Sequence, residues 1–291
     1  MSGRVINDQD REILTQMGIN PETLGSSQIQ EVRLEDSDLF LPIKGLPSGG
    51  KLYRNSMNIP ITVKGMPFKV EDTVALAAMK DEENHEVIDD VFRKRLRGVS
   101  PEDLLEMDRK YILAWMRDQT FQRAPLRRTF ACSHCGHVNL HRILDLSNFV
   151  KYVLPDGVSE PEFDLPESNK RVKLRFERRK DVINVKEYIK QFENYRRITE
   201  TDVKRYRIAS VFEGKSIETA LEFMADLNPI DNAVLTTQFD RCNMGMTDIA
   251  AINCEKEECG NTNLVPVPFR SEYYIPRIGP DLVDQGESIA L

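Results

Sequence analysis

Four of the five cysteines stand in two close pairs, Cys132-Ser133-His134-Cys135-Gly136 and Cys254-Glu255-Lys256-Glu257-Glu258-Cys259-Gly260, and each pair is followed at once by glycine. A turn of this kind aims two sulfurs inward while its glycine takes a positive φ, and two such turns supply the tetrahedral thiolate set that zinc prefers. The spacing predicts one structural Zn²⁺ held by Cys132, Cys135, Cys254 and Cys259. Such a site joins stretches that start 122 positions apart, at 132 and 254. Closing a loop of about 118 residues instead of about 15 costs roughly 2 kcal/mol, about three doublings of length. Structural zinc sites contribute about 10–16 kcal/mol, so the long insertion is no obstacle.

Other readings of the same residues stay open at this stage. His134, His137 or His141 could replace a cysteine, the wider second turn being the place for it. Cys132-Ser133-His134-Cys135 could be a redox dithiol, although no βαβ pattern precedes it. Catalytic zinc needs an open coordination position and a nearby base, whereas four cysteines close the shell. Cys242 is left over as a small buried residue. Of the four histidines, three lie beside the first turn and His85 sits in an acidic run, so no Ser–His or Cys–His constellation forms and no catalytic residue is assigned. Gly45 to Lys51 imitates a phosphate-binding loop, but Leu52 stands where Ser or Thr should reach Mg²⁺ and no helix opens behind it.

Metal ligation suits the compartment that the rest of the chain suggests. The first residues lack a secretory apolar core, and no run approaches the ~18 apolar residues of a membrane span. A reducing cytoplasm is expected, where paired thiols bind metal rather than form disulfides. A net charge of −7 with 30% charged residues argues against a protein that coats nucleic acid.

Patterning gives an α+β chain. Residues 1–39 form an N-terminal extension suited to ordering on a partner. Residues 40–154 form a first α+β half, with a strand-turn-strand unit to residue 70, helices at 71–79, 87–92 and 101–115, and the first cysteine turn. Residues 155–168 are proline-rich and acidic and read as a linker. Residues 169–291 form a second half: an alternating strand at 172–176, helices near 185–192, 201–212, 217–227 and 231–239, then the second cysteine turn. Asp108 and Asp231 lead the helices before the two turns at nearly the offset of the cysteines, which predicts a degenerate duplication with each copy donating half of one zinc site. The basic run over 170–207 reads as a solvated or partner-facing surface; its alternative is the face of a zinc-ribbon nucleic-acid-binding or transcription-associated factor.

Several motifs together resemble the base-plate hub assembly proteins of contractile-tailed, T-even-like bacteriophages. They are Leu46-Pro47-Ser48-Gly49-Gly50-Lys51-Leu52-Tyr53 leading into Ile59-Pro60-Ile61-Thr62-Val63, the helix from Asp108 to Arg117, Phe130-Ala131-Cys132 with Cys135-Gly136, and His141-Arg142-Ile143-Leu144-Asp145-Leu146. The resemblance covers about residues 40–270. It departs from the family at Gly49, where a basic residue is usual, and in the acidic N-terminal extension. It implies a non-enzymatic virion component, assembled in the host cytoplasm into the tail base plate. There it helps to build or close the hub beneath the tail tube. Its partners would be other hub, spike or tail-tube subunits, in a hetero-oligomer of several symmetric copies.

Overall fold

Each half of the chain opens with a pair of short strands and a Leu-Pro turn. In the first half, β1 (Leu41–Pro42), β2 (Lys64–Gly65) and β3 (Leu96–Arg97) form an antiparallel sheet in the order β1-β2-β3. The helices α1 (Val70–Ala77) and α2 (His85–Arg95) lie between β2 and β3, and α3 (Glu106–Thr120) leads to the hairpin β4 (Leu126–Ala131) and β5 (Val138–Leu144). A short β6 (Phe149–Lys151) closes this half. The computed structural model describes residues 40–274 except 56, 80–84, 156, 157, 159, 193–196 and 270, so the extension expected over 1–39 lies outside the described residues.

The second half runs β7 (Glu162–Asp164), β8 (Arg171–Lys173), α4 (Arg179–Lys190), α5 (Glu200–Ser210), α6 (Ile217–Ala225), α7 (Pro229–Asn243), β9 (Met246–Asn253), β10 (Thr262–Pro266) and a single turn of helix, α8 (Ser271–Tyr274). The fold is α+β, as the patterning predicts, and the helices fall close to their expected places except the one expected over 101–115. That one splits into a 3₁₀ turn (Pro101–Asp103) and α3, because Leu104 and Leu105 are extended. The stretch at 155–168 is more than a linker. Three of its residues form β7, which pairs antiparallel with β8 through Phe163 and Val172.

The two halves run in similar order, with β3 answered by an isolated bridge and α6 by the single 3₁₀ turn (Pro101–Asp103), and several side chains that fix the order recur. Asp72 caps α1 by accepting the Lys69 N–H (2.8 Å) and is held by Arg95 (2.5 Å); Asp181 caps α4 by accepting the Arg178 N–H (2.9 Å) and is held by Arg175 (3.1 Å). The Gly65–Leu96 pairing of the first half has its counterpart in the Leu174–Phe212 bridge. Gly98 and Gly214 follow with positive φ, and Ser100 and Ser216 each accept the N–H three residues on, both at 3.2 Å. Such caps satisfy amides that a first helical turn leaves unpaired.

Asp108 and Asp231 complete the correspondence. Both are fully buried and both hold the Leu-Pro turn of their own half. Asp108 accepts from the Ser48 N–H (2.8 Å), the Ser48 hydroxyl (2.5 Å) and the Tyr53 hydroxyl (2.7 Å). Asp231 accepts from the Glu167 N–H (2.9 Å), the Ser168 N–H (3.0 Å) and the Asn228 amide (3.2 Å). Burial pushes the Asp108 carboxyl up despite these donors, whereas at Asp231 the backbone amides outweigh burial and the carboxyl is held down.

The hydrophobic cores do not divide at 155–168. One cluster gathers residues of the first half, including Leu76, Phe92, Ile112 and Met116, with Cys242, Met246, Ile252, Val265, Phe269, Tyr273 and Tyr274 from the end of the chain. A second holds Leu165, Val172, Leu174, Phe212, Met224, Leu235 and Phe239, and a small third holds Val185, Ile189 and Tyr206. β9 therefore leaves its own half and packs on the first. It pairs with β6 in a sheet of order β10-β9-β6, and Lys110 of α3 forms an ion pair with its Asp248. The consequence for α3 is burial on almost every side, from Met107 to Arg117, while its counterpart α7 buries only Asp231, Leu235, Phe239 and Cys242.

The two halves also meet where α3 and α4 begin. The Glu106 N–H donates to the Glu177 carbonyl (3.0 Å) and the Arg179 N–H to the Leu104 carbonyl (2.9 Å). Beneath this bridge Asp89 accepts from Arg109 (2.6 Å) and Arg179 (2.8 Å). Buried charges are tolerated only when paired in this way.

Candidate metal centre

Both cysteine turns sit at the tips of β-hairpins, one between β4 and β5 and the other between β9 and β10. Each is closed by the same hydrogen bond: the Cys132 N–H donates to the His137 carbonyl (2.8 Å) and the Cys254 N–H to the Asn261 carbonyl (2.9 Å). The glycines after the second cysteines have φ of +70° at Gly136 and +60° at Gly260. This left-handed conformation costs an L-residue energy and glycine almost none, which accounts for a glycine at both places.

The hairpin tips face each other. Cys132 Sγ lies 3.7 Å from Cys259 Sγ and Cys135 Sγ lies 3.8 Å from Cys254 Sγ, and all four sulfurs fall within 4.8 Å of one another. Tetrahedral ligands at about 2.3 Å from a metal are separated by about 3.8 Å, whereas a disulfide needs about 2.05 Å. The four thiols are free and spaced for a metal ion. The atoms that converge are all sulfur. His137 instead contacts Glu255 across the hairpins (3.1 Å), and Arg142 adds a second contact to that carboxylate at 3.4 Å. These two neighbours, His137 first, hold the Glu255 carboxyl below its usual range.

The sulfurs are not equivalent. The amides of Cys135 and His134 and the side-chain amide of Asn263 hold the Cys132 thiol down at about 5 against the effect of burial. Cys259 receives the Asn261 amide, yet burial and three neighbouring sulfurs push it up to about 12. Asn261 and Asn263 both donate to Cys132 Sγ, at 3.7 and 3.6 Å. Sequence reasoning overlooked these asparagines. The usable signal was that each hairpin carries an asparagine four positions after its second cysteine, Asn139 and Asn263.

Cys242 is buried in the first core, away from this cluster, and burial pushes its thiol up to about 11. The basic stretch over 170–207 is largely matched by acids: Arg171, Lys173, Arg175, Arg179, Lys180, Lys186, Lys204 and Arg207 each lie against a carboxylate. Among the described residues no helix is long and apolar enough to cross a membrane.

No protein-family model matches the chain, no curated protein matches it, and no solved structure matches it.

Proposed function

We propose that the chain is a non-enzymatic assembly component whose two hairpins are fastened by one structural Zn²⁺. The observation that carries this reading is the convergence of four sulfurs, with no other donor among the described residues, from turns that begin 122 positions apart. Soft thiolates in a tetrahedral set suit zinc, and four of them leave no coordination position for substrate or water. Such a metal fastens structure. It holds the last strands of the chain against the first half, where they complete the core around α3.

The resemblance of the Leu-Pro turn and first cysteine hairpin to T-even-like base-plate proteins supplies the setting: the hub of a contractile phage tail, among other hub, spike or tail-tube subunits. Residues 1–39 and the 155–168 segment are the proposed contacts to those neighbours. The acid-matched basic stretch favours this reading over a nucleic-acid-binding one, which needs unneutralised cations to displace counterions.

Elemental analysis combined with affinity capture from phage-infected cells tests both parts. One zinc per chain and recovery of tail base-plate subunits are expected. Recovery of nucleic acid with a steep salt dependence, or of no tail subunit, overturns the assignment to the hub, and a metal-free chain of native stability overturns the fastening role.

A further inference from the structure

The two cysteine hairpins are tied to each other by more than their sulfurs. Asn139 and Asn263 are 0% and 5% exposed. Each side-chain amide donates to the carbonyl two residues back in its own hairpin, Asn139 to His137 (3.2 Å) and Asn263 to Asn261 (3.3 Å). Those are the carbonyls that also accept the N–H of Cys132 and of Cys254 and so close the two turns. Each side-chain oxygen then crosses to the opposite hairpin and accepts the N–H of the residue after its first cysteine. Asn139 takes the Glu255 N–H at 2.8 Å and Asn263 takes the Ser133 N–H at 2.9 Å. Exchanging the two hairpins leaves this pattern unchanged.

We propose that Asn139 and Asn263 form a reciprocal clasp that docks the two cysteine turns before metal arrives, so that the metal-free chain already presents its four sulfurs at ligating separation. The inference rests on the metal-centre reading above and adds two positioning residues to it. A buried amide whose donor and acceptor are both satisfied has little freedom left, and a buried N–H is costly to leave unpaired. Each asparagine therefore fixes the position of the opposite turn relative to its own. The metal then meets a formed site and does not have to gather two loose hairpins. Residues that orient ligands in this way typically change metal affinity 10–100-fold when removed.

Asn139 is the sharper probe of the two. Asn263 also donates to Cys132 Sγ and accepts from the Ser133 hydroxyl (3.1 Å) and the Asn261 amide (3.2 Å), so its loss disturbs a ligand directly. Asn139 has no hydrogen bond to a sulfur, and any effect of Asn139→Ala on metal binding runs through docking. The test uses the full chain stripped of metal by a chelator, amide exchange followed by NMR, and Zn²⁺ affinity from competition with a chromophoric chelator. In the metal-free wild type the Glu255 and Ser133 amides are expected to be protected. Asn139→Ala is expected to release the Glu255 amide on the opposite hairpin and weaken Zn²⁺ binding about 10–100-fold. Asn139→Asp keeps the oxygen that accepts the Glu255 N–H but loses the donor to the His137 carbonyl, so it is expected to recover only part of the protection, and Leu140→Ala at the exposed neighbouring position to change neither quantity. Unprotected Glu255 and Ser133 amides in a metal-free wild type that still binds one Zn²⁺ overturn the clasp and leave the metal reading intact. That measurement decides even where Asn139→Ala does not fold. Protected amides with no Zn²⁺ uptake overturn the metal reading instead. Wild-type affinity in Asn139→Ala also overturns the clasp.

Discussion

Replacing Asp108 by alanine should be among the most damaging single changes in the chain, although it touches neither metal nor surface. Its carboxylate is fully buried and takes three hydrogen bonds from the Leu-Pro turn: two from Ser48 and one from Tyr53. Ser48 and Tyr53 are themselves buried, and the Tyr53 hydroxyl in turn accepts the Leu105 N–H at 3.2 Å. Asp108→Ala leaves three donors without an acceptor in a dry site, at about 1–3 kcal/mol each. The three share one turn and are not additive, so the expected loss is roughly 3–6 kcal/mol. That is a large part of the 5–15 kcal/mol typical of a folded domain, and it corresponds to a fall in Tm on the order of 10–15 °C. Urea unfolding in saturating Zn²⁺ measures it with the metal site kept full, and an unchanged m-value shows that the same surface is exposed. Ser48→Ala removes one donor and leaves the backbone bond, and should cost about 1 kcal/mol. A loss below about 1 kcal/mol for Asp108→Ala, or equal losses for the two variants, refutes the reasoning.

Three further outcomes follow from other sites. Cys132→Ser should abolish stoichiometric zinc and loosen both hairpins, seen as lost amide protection in β4–β5 and β9–β10; a variant that keeps one zinc at wild-type affinity contradicts the four-thiolate assignment. Gly136→Ala should cost about 1–2 kcal/mol, a purely conformational loss because φ is +70° and a Cβ there meets nothing within 4 Å; comparison with Gly136→Asn, which tolerates that conformation better, checks the cause. Burial first, and Asp145 after it, push the Asp118 carboxyl up to about 6 against the pull of Arg117. Its contribution to stability is thus complete below its unfolded value near 4 and is lost as pH rises through about 6. Asp118→Asn should leave stability at pH 3.5 close to wild type and raise it by roughly 1–2 kcal/mol at pH 7.5, a figure reduced for partial solvent screening; urea midpoints at both pH values give the sign.

Much of the metal centre was legible because its chemistry is local. Two close cysteine pairs, each with a glycine that must be left-handed, predict two turns with inward sulfurs whatever surrounds them. Most helices were legible for the same reason, through apolar residues recurring at steps of three and four. The correspondence between the halves was visible only near its end. The spacing between corresponding residues drifts from 109 between Asp72 and Asp181 to 124 between Gly136 and Gly260, so no fixed offset could align the chain. The routing of the core was hidden because it depends on which half β9 joins. Nothing in Met246–Asn253 distinguishes packing on α7 from packing on α3. The Asn139 and Asn263 pair was hidden because an asparagine reads as turn chemistry until the opposite hairpin is in place.

The return of β9 and the C-terminal aromatics to the first core sets an order on synthesis. At about 5–20 residues per second, the ribosome takes about 6–24 s to travel from the first cysteine turn to the second. Throughout that interval Met107, Lys110 and Arg117 of α3 lack the contacts they later make with Gly245, Asp248 and Tyr273, and Cys132 and Cys135 lack Cys254 and Cys259. The nascent chain therefore passes through a stage in which one side of α3 is uncovered, and the first core is completed only when the chain through Tyr274 has left the exit tunnel. Truncation before Tyr274 should leave that stage permanent, which makes synthesis through Tyr274 a condition for a complete first core.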